Sequence, residues 1–410
     1  MIVWVDMKGV VKVSTDKSAI EELLTRSVDS IYPTRGALEK VLFSGKKIRL
    51  YLGIDPTSPH LHLGHAENLI MLRRFQDLGH EVFVLFGDFT GRIGDPTDKL
   101  AARVSLTSAQ VKENLKTFKT QASKVLRFSG QNAAQVKFNA KWLSKLTFEE
   151  VIEFSSHFTV QQMIERSMFQ ERLQAGKPIH LHEFFYPLMQ GYDSYAMDVD
   201  LEIGGTDQTF NMLVGRDVQR IYRNKEKFVI TNRLLEDPAT GKKMSKTEGT
   251  LINLDDVPTA MFGKMMAAPD ELIVPIAELA TLIPQKNVEE IKIALKKGIN
   301  PRDIKLYVAE ELVKLYHSTK AATEAREEFV RVFSKKERPE DAPKLKITKT
   351  LPLIDLLIEA GVESRGEARR LIIQGAIKIN DEQKKDEKEM IATKKGDILR
   401  IGKHRFFEIV

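Results

Sequence analysis

Apolar positions along the chain alternate between short continuous runs and amphipathic stretches. Arg49-Leu50-Tyr51-Leu52-Gly53-Ile54 is a short run that stops at Asp55-Pro56, which predicts a strand followed by a tight turn. Residues 66–78 then place Leu69, Ile70, Leu72 and Phe75 near helical spacing and stop at Gly79, a natural helix terminator. Glu81-Val82-Phe83-Val84-Leu85-Phe86 is nearly all apolar, the pattern of a strand buried on both faces. Strand, helix and strand in that order make a βαβ unit, which requires a right-handed crossover and a parallel sheet. Residues 199–205 and 227–231 predict later strands of the same sheet. Between the halves, the largely helical pattern of 107–176 lies in an insertion over about 107–198. The expected fold is α/β, a Rossmann-like doubly wound parallel sheet over 1–248, with its ligand crevice at the carboxyl ends of the strands.

Outside that sheet the pattern is mostly helical. Ile20, Leu23, Leu24, Val28 and Ile31 recur near helical spacing, as do Leu38, Val41 and Leu42 after Pro33, so 18–45 is expected to be helical. A second, α-helical domain is expected over 249–334. A charged, proline-bearing stretch follows and predicts a linker at 335–350. From 351 to 410 the pattern gives two helical segments and then short β-like pieces, a small α+β domain.

Bulk properties narrow the class. At 410 residues the chain exceeds the usual reach of one hydrophobic core. No apolar run approaches the roughly 20 residues of a membrane span, and Met1 to Lys17 lacks a signal peptide's apolar centre. No membrane association and a cytoplasmic location are therefore expected. The absence of cysteine excludes disulfides and thiolate metal sites. A net charge of +6 mildly favours a polyanionic partner.

The chemistry begins where the first strand turns. In Asp55-Pro56-Thr57-Ser58-Pro59-His60-Leu61-His62-Leu63-Gly64-His65 two imidazoles arrive at a helix start, where backbone amides and the helix dipole favour phosphate. Gly64 between them removes bulk where a nucleotide must approach the backbone. A metal pair or two surface histidines are the alternatives. Gly241-Lys242-Lys243-Met244-Ser245-Lys246-Thr247 is basic and hydroxyl-rich, suited either to closing over a polyphosphate or to being a solvated turn. No Walker A loop occurs. Asp95, in the glycine-rich loop after the second strand, could bind an amino group. Lys99 and Arg103, one helical turn apart, could reach a pyrophosphate or form a basic helix face. Tyr186, Gln190 and Asp193 share one polar face of a predicted helix. Asp207 and Gln208, after Gly204-Gly205-Thr206, also face the crevice. Tyr192 and Tyr195 read as packing residues.

These motifs, in this order, resemble the bacterial-type tyrosyl-tRNA synthetases, a branch of the class I aminoacyl-tRNA synthetases. His62-Leu63-Gly64-His65 is similar to the class's HIGH signature and Lys243-Met244-Ser245-Lys246-Thr247 to its KMSKS loop. Tyr51-Leu52-Gly53-Ile54-Asp55-Pro56-Thr57, Tyr186-Pro187-Leu188-Met189-Gln190-Gly191-Tyr192-Asp193 and Gly204-Gly205-Thr206-Asp207-Gln208 mark the tyrosine branch. The resemblance implies a tyrosine–tRNA ligase that joins L-tyrosine to ATP, releases pyrophosphate and passes the tyrosyl group to tRNA(Tyr). Tyr51 and Asp193 would hold the phenol hydroxyl, and Tyr186, Gln190 and Asp95 the α-ammonium, with Asn139 nearby. Gly53, Asp55, Gly205, Asp207 and Gln208 would wall the ribose and adenylate. Thr57, His62 and His65 would meet the phosphates, with Gly64 beside them. Lys99, Arg103, Lys243, Lys246 and Thr247 would clamp the leaving pyrophosphate. Magnesium would travel with the ATP, no structural metal is implied, and the family is homodimeric. Residues 351–410 resemble an S4-like RNA-binding domain, with Arg365, Arg369 and Arg370 as its RNA contacts.

Overall fold

The computed structural model describes residues 12–95, 106–236, 251–334, 343–347, 350–362, 364–380, 382–402 and 405–410. The chain divides into two compact units between Arg326 and Glu327. In the first unit, six strands form one sheet: β1 (Val28–Tyr32), β2 (Arg49–Ile54), β3 (Glu81–Phe86), β4 (Gln135–Phe138), β5 (Leu201–Gly205) and β6 (Phe228–Asn232). Their order is β1-β6-β5-β2-β3-β4. Strands β2 to β6 run parallel, and β1 lies antiparallel on β6. From β2 the chain winds out through β3 to β4, then returns to the other side for β5 and β6. The order therefore reverses between β2 and β5, where a doubly wound sheet opens its crevice. The apolar residues of β3, β5 and β6 are buried on both faces, as their continuous runs require.

Two strands lie where helix was expected. The helix Lys17–Thr25 stops early, Ser27 takes φ +67°, and β1 follows. Val28 and Ile31 fit helical spacing only by coincidence of a short helix and a short strand; Ile31 in fact pairs with Ile230. Strand β4, inside the expected helical insertion, is four residues long and covers the open edge of β3. A strand that short carries almost no periodicity of its own. Its pairing groups are decided by the edge it meets.

Two helices complete the crevice on one side, Leu181–Ala196 and Thr209–Arg223. Gly191 sets their approach: a Cβ there would stand 3.0 Å from Val218 and 3.1 Å from Val214. On the other side the helix Leu63–Asp77 buries Leu69, Ile70, Leu72 and Phe75 against the sheet. Residues 251–334 are helical, including Pro258–Ala267, Gln285–Lys296 and Pro301–Tyr316.

In the second unit the helices Leu353–Glu359 and Arg365–Ile373 pack on short strands that include Ile377–Ile379, Ile398–Ile401 and Arg405–Ile409. Leu353, Leu356, Leu357, Ala368 and Leu399 form its core.

Candidate active site

A cleft of about 650 Å3 opens at the carboxyl ends of β2 and β5. Tyr51 and Gly53 line it from β2, Asp55 and Thr57 from the turn beyond, and His62, Gly64 and His65 from the helix start. Tyr186, Gln190 and Asp193 enter from the helix Leu181–Ala196; Gly205, Asp207 and Gln208 enter from the end of β5. Asp95 and Asn139 close it at the β3 and β4 side. Lys99, Arg103, Lys243, Lys246 and Thr247 lie outside the described residues.

At the helix start the two imidazoles cap the helix for each other. His62 Nδ1 accepts from the Gly64 amide at 3.2 Å, and His65 Nδ1 accepts from the His62 amide at 3.1 Å. Each neutral ring therefore carries its proton on Nε2, a donor suited to an anionic oxygen. Burial, and secondarily His62, hold the His65 pKa well below its ordinary value, so the ring is neutral near pH 7. The chain just beyond the expected basic loop is pinned here. Leu63 donates to the Ile252 carbonyl at 3.1 Å, Leu254 donates to that of Leu61 at 2.8 Å, and His60 meets Asp255 at 2.7 Å.

The other end is a set of interlocked side chains. Asp193 accepts from Trp142 Nε1 at 2.6 Å and from Asn139 Nδ2 at 3.2 Å. Burial raises its pKa well above the ordinary carboxylate value, against the pull of these two donors. Asn139 also donates to Thr90 Oγ1, which in turn donates to Asp55 Oδ1 at 2.7 Å. Asp55 receives the Tyr186 hydroxyl on its other oxygen at 2.8 Å. Gln208 donates to Asp95 at 2.6 Å, and the buried Arg166 guanidinium stands 3.7 Å from the same carboxylate. Tyr51 and Asp193 border the same cleft, yet the Tyr51 hydroxyl pairs with Ser194 Oγ, 3.0 Å away. Gln190 pairs with Glu202.

Thr90, Trp142, Arg166, Ser194, Glu202 and Lys227 were not anticipated. One signal was available for the last two. Glu202 and Lys227 both sit in runs that read as strands of the sheet, and buried charges need each other. Tyr192 and Tyr195 pack with Phe154 and Tyr222, as their apolar neighbours suggested.

In the second unit, Arg365 pairs with Asp355 at 2.6 Å and Arg369 with Glu387 at 2.7 Å. Arg370 is exposed and makes no ion pair among the described residues.

Residues 44–334 match the family described as tRNA synthetases class I (W and Y). Residues 335–409 match the tyrosine–tRNA ligase SYY-like C-terminal domain. The chain belongs to the tyrosine–tRNA ligase family. It is 43% identical over 403 residues to the tyrosine–tRNA ligase of Carboxydothermus hydrogenoformans, covering 95% of this chain and 97% of that one. With the tyrosine–tRNA ligase of Moorella thermoacetica it shares 44% over 390 residues, 94% of each chain. The fold is also similar to that of a C-terminally truncated mitochondrial tyrosyl-tRNA synthetase from Aspergillus nidulans. There the TM-score is 0.66 at 23% identity, covering 78% of this chain and 95% of that chain. Members of this family are ATP-using ligases that form an aminoacyl-adenylate and then charge tRNA.

Proposed function

We propose that the cleft binds L-tyrosine at the Asp193 end and ATP at the His62 end, and joins them. The observation that carries this reading is the polarity of one continuous cleft. A neutral His65 sits beside His62 at a helix start on one side, and the buried Tyr51 phenol and Asp193 carboxyl border the cleft on the other. The tyrosine carboxylate is already ionised at neutral pH, so attack on the α-phosphate of Mg-ATP needs no general base. Catalysis then consists of holding the reactants in line and stabilising charge on the departing pyrophosphate. His62 and His65 would donate to phosphate oxygens beside Thr57 and Gly64. Lys99, Arg103, Lys243, Lys246 and Thr247 would gather on the leaving pyrophosphate.

Tyr51 and Asp193 would recognise the phenol. A phenylalanine ring would offer neither of them the hydrogen bond that the phenol makes, and buried polar groups that miss a hydrogen bond are costly. Asp55, with Tyr186 and Thr90 fixed on it, and Asp95, with Gln208, would hold the α-ammonium and ribose side. Tyr186 and Gln190 would act partly through Asp55 and Glu202. Gly53, Gly205 and Asp207 would wall the adenylate.

The second unit would bind tRNA(Tyr) through phosphate contacts, led by Arg370, with Arg365 and Arg369 contributing once released from their acidic partners. A homodimer in the cytoplasm completes the proposal. Phe148, Ile152, Val160, Leu173 and Leu181 are large apolar side chains left exposed in the insertion, and they support a covered face there.

Amino-acid-dependent ATP–pyrophosphate exchange with tyrosine, tryptophan and phenylalanine tests the first step. Exchange with tyrosine alone is expected; exchange supported by tryptophan would overturn the assignment. Removing residues after Pro343 should weaken tRNA charging and leave exchange intact.

A further inference from the structure

Beneath the phenol end of the cleft lies a buried polar chain. Lys227 and Ser194 are fully enclosed, and Glu202 is nearly so. The Lys227 ammonium has three N–H donors and accepts nothing. They go to Ser194 Oγ at 2.8 Å, to the Met212 carbonyl at 3.1 Å, and to Glu202 Oε2. The other Glu202 oxygen receives Gln190 Nε2 at 2.9 Å. Each carboxylate oxygen can accept a second donor, and the Ser194 hydroxyl also reaches Glu202 Oε2, at 3.4 Å. Its shorter contact is the Tyr51 hydroxyl at 3.0 Å.

The space for this chain is built in. A Cβ at Gly215 would come within 2.7 Å of Ser194 Oγ and closer still to Lys227 Nζ, so only glycine leaves the ammonium its place.

With Lys227 donating to Ser194 Oγ, the serine proton has two acceptors in reach, and with tyrosine bound it goes to the nearer, the Tyr51 oxygen. Tyr51 then accepts from the serine and turns its own proton into the cleft. We propose that Lys227, Glu202 and Ser194 are positioning residues that fix the Tyr51 hydroxyl as a donor to the phenol oxygen of bound tyrosine. The phenol in turn donates to Asp193. An ammonium at one end and a carboxylate at the other give the chain one direction, Lys227 to Ser194 to Tyr51 to ligand to Asp193, and each link polarises the next. Burial, with Glu202 and Asp193 adding to it, raises the Tyr51 pKa well above its ordinary value, so Tyr51 keeps its proton to donate. The proposal rests on reading Tyr51 and Asp193 as the phenol-binding pair.

The test compares Ser194→Ala, Ser194→Thr and Tyr51→Phe in the full chain by ATP–pyrophosphate exchange with tyrosine and with phenylalanine. Thermal melting checks that each variant folds. Ser194→Ala should raise the tyrosine KM about 5- to 10-fold, the scale of one hydrogen bond. The effect should fall on KM rather than kcat and leave phenylalanine unaffected, so the preference for tyrosine drops by the same factor. Ser194→Thr should restore it. If Ser194→Ala does not fold, the double variant Lys227→Met/Glu202→Leu removes the ion pair without orphaning either charge and should show the same loss of preference. A folded variant that keeps the full preference while Tyr51→Phe loses it would overturn the relay alone. If Tyr51→Phe also keeps the preference, the reading of Tyr51 itself fails, and the relay with it.

Discussion

At the helix-start end of the cleft the polar groups come from one run of chain, 57–65, and their geometry is made by backbone. His62 and His65 are oriented by the amides of Gly64 and His62. At the phenol end almost every hydrogen bond joins residues distant in sequence: Tyr51 with Ser194, Asn139 with Asp193, Tyr186 with Asp55. The first end is a helix N-terminus, which any chain can form locally once it has a cap and a glycine. The second is a buried polar network that exists only when elements far apart in the chain have packed. One end should therefore tolerate changes in its surroundings and fail only when its own groups are removed. The other should respond to residues that never touch the ligand.

The sharpest way to break this contrast is His62→Ala. It should slow adenylate formation by roughly 10²–10³, the loss seen when one donor to a developing anion is removed, and leave tyrosine affinity unchanged. Pre-steady-state adenylate formation and equilibrium tyrosine binding measure the two separately. A large loss of tyrosine affinity would mean that the ends are not independent.

A third histidine separates acid effects on the site from acid effects on the fold. His80, at the amino end of β3, is buried, and burial pushes its pKa down to about 4 from an ordinary 6.5. Above pH 6.5 neither folded nor unfolded ring is charged and nothing is lost. Between 6.5 and 4 the unfolded state binds the proton and the folded state does not, so stability falls on acidification. The loss should reach about 3 kcal/mol at pH 4, at 1.36 kcal/mol per pKa unit. Denaturant midpoints across that range, compared with His80→Gln, isolate the contribution. His65 should add no ionisation to the exchange rate between pH 6.5 and 8, because its pKa lies well below that window.

Asn139→Ala probes the network without touching the ligand's polar groups directly. It removes a donor from Asp193, a donor to Thr90 and the acceptor of the Phe89 amide. Tyrosine affinity should fall about 10-fold or more, as expected for a hydrogen bond to a charged group worth ~1.5–3 kcal/mol. Isothermal titration with tyrosine reads the loss, and unaltered affinity would show that Trp142 alone orients Asp193.

The smallest effect is expected in the second unit. Arg370→Ala should weaken tRNA binding uniformly and reduce the salt slope by about one. Arg365→Ala should do less, because that guanidinium must first leave Asp355. Equal slopes for the two variants would place the RNA contact elsewhere.

Much of this was legible in the chain, for a physical reason. The βαβ unit, the helix at 66–78 and the helix start with its two histidines are local structures, written in consecutive residues. The short strands were not. Four residues of β4 have no period to read, and Val28 and Ile31 fitted a helix until Ser27 turned the chain. Glu202 and Lys227 were visible as charges in buried strands, but their partnership depends on β5 and β6 lying side by side. By itself the sequence determined the longer elements, the family's motifs and the helix-start end of the cleft, because backbone geometry and spacing act over a few residues. Only the tertiary structure decided which acids and amides meet at the phenol end and where the Tyr51 hydroxyl points. Those bonds close loops of up to 143 residues, and no local pattern encodes them.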